Sequence, residues 1–550
     1  MRISIAAGFK YFAGLAIFFF LFSCAQSEIW VGCSLFFLMS SLAGIWLILA
    51  QCPLSSRPYL ACTGFTLVAL WQLRWMIGTY YHGAYIYAVW SFLAVGIGVQ
   101  YLILTILVVN NSSKAGAMQA LLLGGFWACL EMSRELLFSG FPFAPLSIVC
   151  VKAPVFLQAA SYIGVYGISG CIVVCNVLLY GAIQEKSWRQ LALFSSILVS
   201  VAFFGFIRLE DSRFLSSQKF CRLALLQTGW APEKKIEIFE EASVMSPLEQ
   251  WEQILTQIAT IKDSSVDAII LPESAVSKGL YYDIGSFEDF AKLFVKIFNF
   301  SISKKDHKGF FTNEQVLKNL AECIQVDVVI GLDVFEQETE KIFNSACFIS
   351  SKNSWMGRYD KQVLVPMGEY LPISALSSIA KKYGLYSFYS PGNRIGKFTL
   401  AKAVVLPTIC YEECLSRFFK NQIKQDIDLI VNLTNDGWFL PTSFANKHLY
   451  LAQFRAVENG RWIARACNTG VTCVIDPHGR VCQKLPMEDE TGQLYQGVLL
   501  ADIPTSKSTT FFSLIGEFFV RTFALMCFVE FLRRFCQKIQ ENMMRENLKN

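Results

Sequence analysis

Runs of about twenty apolar residues decide what this chain can fold into, because a backbone crossing hydrocarbon about 30 Å thick must satisfy its own hydrogen bonds as a helix. Eight such runs are legible, at roughly 5–24, 29–50, 58–77, 84–109, 116–138, 161–183, 190–208 and 509–532. The overall balance agrees: 54% hydrophobic and only 17% charged residues over 550 positions is too apolar for a soluble chain of this length. With the N-terminus cytoplasmic, the short inside loops carry Arg57, Lys114, Lys186 and Arg189, and the tail carries Arg533, Arg534, Lys538, Arg545 and Lys549. The loops at 25–28 and 78–83 carry neither Lys nor Arg. That bias places the middle segment on the outer face of the membrane. A lipoprotein signal peptide ending at Leu21-Phe-Ser-Cys24 is the alternative reading of the first run. Arg74, Glu131, Arg134 and Glu135 fall near span ends, where snorkelling to the interface is the expected behaviour and an inward-facing partner the alternative.

Residues 219–506 mix charges with short strands and are long enough to bury a core of their own. The expected organisation is a helical membrane domain over 1–210, an exterior domain over 219–506, and a last span with a cytoplasmic tail over 507–550. The net charge of +5 is small and the basic residues form no aromatic-interleaved stripe, which argues against a nucleic-acid partner. The 18 cysteines show no zinc spacing and no CxxC pair, so neither a metal nor a redox site is expected. Strand signals at 223–227, 268–273, 326–332, 403–410, 429–436 and 471–476 alternate with helical patterns at 248–262, 411–424 and 446–460. This predicts an α/β domain with functional residues at the carboxyl ends of strands.

Three strand ends carry chemistry: Leu271-Pro-Glu273, Arg358-Tyr-Asp-Lys361 continuing to Glu369, and Thr408-Ile-Cys410. A thiol, a carboxylate and an amine suit acyl transfer through a thioester, with Cys410 as nucleophile and Glu273 as base in a partly apolar site. Lys361 and the Tyr411 backbone N–H would stabilise the oxyanion, at about 3 kcal/mol per donor. A helix starting at 411 would lower the Cys410 pKa. His307, His448 and His478 sit in no papain-like context, which favours the carboxylate as base.

The motifs Leu271-Pro-Glu-Ser274, Pro366-Met-Gly-Glu369, Cys410-Tyr-Glu412, Asn435-Asp-Gly-Trp-Phe439 and Arg455-Ala-Val-Glu-Asn-Gly-Arg461 together resemble the nitrilase, or carbon-nitrogen hydrolase, superfamily, and the chain as a whole resembles its apolipoprotein N-acyltransferase branch. The resemblance implies an αββα sandwich joined to about eight transmembrane helices of a bacterial inner membrane. Cys410, Glu273 and Lys361 would act as nucleophile, base and oxyanion stabiliser. Glu369 would hold Lys361, Tyr411 and Glu412 would shape the pocket, and Trp230, Trp438 and Phe439 would contact substrate. The implied partners are a phospholipid acyl donor, a diacylglyceryl apolipoprotein acceptor and membrane lipids, with no cofactor. Rival readings are a membrane-anchored amidase and an inactive polytopic scaffold. Two departures stand out. Gln227-Thr-Gly-Trp230 replaces the family's more usual Asn after Gln, and the Phe-rich stretch 285–320, with Phe287, Phe290, Phe294, Phe298, Phe300, Phe310 and Phe311, reads as an inserted lid, a membrane-dipping helix or a packed excursion.

Overall fold

The computed structural model describes the chain except at residues 1–4, 79–80, 82, 107–115, 138, 212–218, 236–243, 304–310, 353–355, 373–388, 395, 424–425, 440–442, 506–507 and 548–550. The predicted Lys114, Phe310 and Lys549 therefore lie outside the described residues. Two compact units result: Met1–Thr79, Ala84–Glu210 and Leu514–Asn550 form one, and Tyr80–Gly83 with Asp211–Ser513 the other.

In the first unit, long helices occupy the eight apolar runs: Ile5–Gln26, Ser34–Gln51, Arg57–Gln72, Ile86–Leu104, Ala117–Ser133, Ala160–Gln184, Trp188–Glu210 and Phe518–Asn547. Five of them are long and apolar enough to cross a membrane among the described residues, those at Phe9–Gln26, Ser34–Gln51, Ile86–Leu104, Ala160–Gln184 and Trp188–Glu210. Arg57–Gln72 and Ala117–Ser133 have 16 and 17 residues. At 1.5 Å per residue they reach about 24–26 Å, short of a full hydrocarbon layer.

Snorkelling fails for three of the four span-end charges. Glu131, Arg134 and Glu135 are buried. Glu131 accepts from Trp127 Nε1 and the Leu146 N–H, each at 2.9 Å, Arg134 donates to Gln100 Oε1 at 2.9 Å and to the Tyr101 hydroxyl at 3.2 Å, and Tyr166 donates to Glu135. A charge that finds several partners inside the bundle avoids the larger cost of facing lipid. Arg74 alone is exposed, with its guanidinium 3.8 Å from the centre of the Trp71 ring.

The second unit is built on two six-stranded sheets. Its strands are β1 Phe220–Gln227, β2 Ala268–Ile270, β3 Asp283–Gly285, β4 Phe311–Thr312, β5 Asp327–Glu336, β6 Lys341–Ile349, β7 Met356–Asp360, β8 Phe398–Thr399, β9 Val404–Ile409, β10 Leu429–Thr434, β11 Trp462–Cys467, β12 Cys473–Ile475, β13 Val481–Lys484 and β14 Gly497–Pro504. One sheet runs β14-β1-β2-β5-β6-β7 and the other β13-β12-β11-β10-β9-β8, with β3 and β4 as a separate ribbon. β1 packs on β11 and β6 on β9, so the sheets face each other. Helices Pro247–Ala259 and Asn313–Ile324 place Trp251, Ile254, Leu255, Leu317 and Leu320 in the core that covers the first sheet. Helix Phe444–Asn459 lies against β11 of the second. β1, β2 and β5 are parallel neighbours, as are β9, β10 and β11. Their carboxyl ends carry the loops that matter.

The Phe-rich stretch is core. Ser286 caps helix Phe287–Phe298 by accepting from the Asp289 N–H, and Asn299 closes it in the left-handed conformation. Phe290, Phe294 and Phe311 are fully buried, and the Phe290 and Phe311 rings lie 5.0 Å apart. Among the described residues, Phe290 and Phe294, at spacing i, i+4, share one core with Trp251 and Ile254, so the main apolar face of this helix is buried within the unit. Phe294→Ala should therefore destabilise the exterior unit by about 3–5 kcal/mol, read as a lowered Tm. A loss of turnover with an unchanged Tm would point to a lid instead.

Candidate active site

The Glu273 carboxylate, the Lys361 ammonium and the Cys410 thiol meet where β2, β7 and β9 end. After β2 the chain turns through Pro272 and Glu273 into Ser274, whose φ is +46°. The turn rests on Gly331 of β5. Its N–H donates to the Pro272 carbonyl at 3.1 Å, and a Cβ there would stand 2.5 Å from the Glu273 Cα. Only glycine lets the strand back the turn this closely. Lys361 follows β7, and its own N–H donates to the Asn344 carbonyl of β6 at 2.8 Å. Cys410 follows β9 with φ +48°. Left-handed backbone at a non-glycine residue costs about 1–3 kcal/mol and persists where the surroundings enforce it.

The side chains form one network. Lys361 Nζ lies 2.8 Å from Glu369 Oε1 and 3.4 Å from Glu273 Oε1. Asn344 Nδ2 donates to the same two oxygens, at 2.8 Å to Glu273 and 3.1 Å to Glu369, and the Val365 N–H binds the other Glu369 oxygen at 2.8 Å. The Cys410 thiol lies within the electrostatic reach of Glu273, Lys361 and His448. Glu412 ties the loops together. Its carboxylate accepts from the Tyr359 hydroxyl at 2.8 Å, from Gln362 N at 2.6 Å, from Val363 N at 3.2 Å and from Ile409 N at 2.9 Å. The residue two after the nucleophile thus fastens both flanks of Lys361.

Burial raises the Glu273 pKa above the ordinary carboxylate value, Glu369 adds to this, and Lys361 opposes it. Burial alone would lower the Lys361 pKa, but Glu369 and Glu273 together raise it, so it stays a cation. Burial and Glu273 raise the Cys410 thiol, against Lys361 and His448. The sequence predicted the opposite direction, from a helix starting at 411. The chain instead makes a 3₁₀ turn over Cys410–Cys414, and the helix covers only Ser416–Gln422. Without a helix dipole aimed at the sulfur, burial and the Glu273 charge favour the protonated thiol.

The remaining predicted residues are more spread. Tyr411 is buried beside Cys410. Trp438 is 39% exposed, and the Phe439 ring lies tilted against Phe444 at 4.5 Å. Trp230 sits in the hydrophobic core with its indole N–H on Gln253 at 3.0 Å. Asn344 and Lys235 escaped the sequence reading. Lys235 Nζ donates to the Ser274 carbonyl at 2.7 Å and lies 5.2 Å from the Trp230 ring, and burial lowers its pKa to about 7. The signal for Asn344 was an amide inside the apolar run Ile342 to Ile349.

For a metal, Cys410, Asp436 and His448 bring one ligand atom each within 4.8 Å. The two His448 nitrogens, however, already face Asp436 Oδ1 at 2.8 Å and Glu413 Oε1 at 3.0 Å. A ring nitrogen bonded to a carboxylate as an N–H donor has no lone pair left for an ion.

The carbon-nitrogen hydrolase family matches residues 222–510, just over half of the chain. The chain belongs to that family. A second match, to the apolipoprotein N-acyltransferase N-terminal domain, covers residues 21–178. The curated relatives include apolipoprotein N-acyltransferases of Chlamydia pneumoniae, 28% identical over 81% of this chain and 82% of the relative, and of Geobacter metallireducens, 29% identical over 72% and 70%. That of Haemophilus ducreyi is 26% identical over 80% of each.

Two outcomes follow from the geometry. Glu412→Ala frees both flanks of Lys361 and should slow acylation of Cys410 about a hundredfold through misplacement, while circular dichroism shows the fold retained. An unchanged rate would mean that Glu412 does not position the site. A Glu273 that serves as the base works only when ionised, so acylation of Cys410 should then rise with pH through an inflection above the ordinary glutamate value, and Glu273→Gln should abolish that inflection.

Proposed function

We propose that this chain is an acyltransferase that moves a fatty acyl group from a phospholipid, through a thioester on Cys410, to the N-terminal amine of a diacylglyceryl-cysteine lipoprotein. The observation that supports the reading is the buried Glu273–Lys361 ion pair at strand ends that also bring up Cys410, whose thiol is influenced by both charges. Glu273 takes the thiol proton as sulfur attacks the ester carbonyl, and returns it to the departing lysophospholipid oxygen. The acceptor amine then attacks the thioester, Glu273 takes its proton, and the sulfur leaves as the protonated thiol. Lys361 gives two of its three ammonium protons to carboxylates, which leaves the third for the oxyanion of each tetrahedral state. The relatives bear the name of this activity, and the N-terminal match extends the likeness into the helical half.

In this reading all eight helices span a bacterial inner membrane, the two short ones lengthened by the 3₁₀ turns Arg74–Met76 and Arg134–Leu136 that follow them, the catalytic unit faces the periplasm, and both substrates arrive as lipids. Trp438 and Phe439 line the entrance, and Tyr411 and Glu412 shape the pocket. The purified protein, given labelled phospholipid and a diacylated lipopeptide, should place label on the peptide amine. Cys410→Ala should place none, and Glu273→Gln should transfer about 10²- to 10⁴-fold more slowly. Label released only as free fatty acid would replace the transferase by a hydrolase.

A further inference from the structure

Behind the nucleophile lies a second charged cluster that the acyl-transfer scheme does not use. His448 is wholly buried on helix Phe444–Asn459. Its Nδ1 faces Asp436 Oδ1 at 2.8 Å, and its Nε2 faces Glu413 Oε1 at 3.0 Å and the Cys410 carbonyl oxygen at 3.3 Å. All three partners are acceptors. A neutral imidazole carries one N–H, so one ring lone pair would then point at a carboxylate or carbonyl oxygen. Only the imidazolium, with a proton on each nitrogen, suits both sides.

Charge counting agrees. Glu413 also binds Arg465, with Arg465 Nη2 at 2.7 Å from its Oε1, and Arg465, Glu413 and Asp436 are all buried. With an imidazolium the four groups carry two positive and two negative charges. With a neutral ring an uncompensated carboxylate stays buried, which is expensive. The other titratable groups against the ring are the Cys414 and Cys410 thiols. Burial alone would lower the His448 pKa, and Cys414, Asp436 and Glu413 more than reverse this.

His448 also reaches the Cys410 backbone. Cys410 stands at φ +48° at the head of the 3₁₀ turn, and its carbonyl oxygen lies 3.3 Å from His448 Nε2 and 3.4 Å from the Asn432 amide nitrogen. We propose that His448 is a permanently protonated positioning residue that holds the strained Cys410 turn by its carbonyl and sets a buried positive charge behind the sulfur when the thiol ionises. This rests on Cys410 being the nucleophile, although its first test does not.

The chain has four histidines, so ¹⁵N-histidine labelling of the full-length protein in detergent gives few signals. Single variants H82Q, H307Q and H478Q assign His448 by elimination, even if H448Q fails to fold. Both His448 nitrogens should stay at protonated positions between about pH 6 and about pH 9, across the range where an ordinary histidine loses its proton. A neutral-tautomer signal there would overturn the proposal. The second readout is iodoacetamide alkylation of Cys410 followed by peptide mass. H448Q keeps a hydrogen-bond donor but no charge, so its alkylation profile should move to higher pH, about tenfold slower near pH 7.5 for a displacement of one pH unit. A purely structural role would slow alkylation equally at every pH, and that result would remove the electrostatic part. If the nitrogens are protonated and the profile moves but Cys410→Ala still transfers acyl groups, the nucleophile assignment fails and the positioning role stands.

Discussion

One buried cation between two carboxylates sets the terms for the rest of the catalytic unit. Lys361 is almost entirely enclosed, and without Glu273 and Glu369 its charge would have to leave. Holding it there fixes the end of β7, the loop to Glu369 and the turn after β2 at once. Asn344 binds the same two carboxylate oxygens, so the geometry is determined from two sides. The arrangement also separates the protonation tasks. Lys361 remains charged, Glu273 is raised toward the range where a carboxylate can both take and return a proton, and the thiol stays protonated in the resting protein.

The supports are backbone features as much as side chains. Ser274, Met367 and Cys410 all take positive φ, one in each of the three loops. Gly331 admits the first turn, and the Glu412 carboxylate joins the second to the third. Ser274 adjoins Glu273 and Glu412 follows Cys410 closely, whereas Gly331 and the Glu412 carboxylate reach Glu273 and the flanks of Lys361 across neighbouring strands and loops. This is economical, because the two sheets already bring the strand ends together.

Much of this was legible in the chain. Glu273 and Cys410 stood out because each closes an apolar strand, and Lys361 because it and Glu369 flank the apolar run 363–365; the structure brings the three residues together. The eight apolar runs likewise marked eight helices. What failed depended on contacts that spacing does not encode. The helix expected from 411 gave way to a 3₁₀ turn because the Glu412 side chain bonds back to the Ile409 N–H. Glu131, Arg134 and Glu135 turned inward because partners on other segments, Gln100, Leu146 and Tyr166, were waiting there. Trp230, expected at a substrate contact, is buried in the core with Gln253 taking its N–H, a placement that spacing does not encode. Asn344 was passed over because a lone amide in an apolar strand looks like noise until its partners are known, and His448 was set aside because its sequence neighbours do not show the carboxylates it meets in the fold.

The central claim is that Cys410 carries the acyl chain covalently between donor and acceptor. Intact-protein mass spectrometry in a single-turnover chase tests it most directly. Phospholipid alone should add one fatty acyl mass, removable by hydroxylamine and mapping to Cys410, and a diacylated lipopeptide should then remove that mass at the rate at which the triacylated product appears. Product forming with no acylated protein ever present, or an acyl mass that persists while product accumulates, would contradict the account.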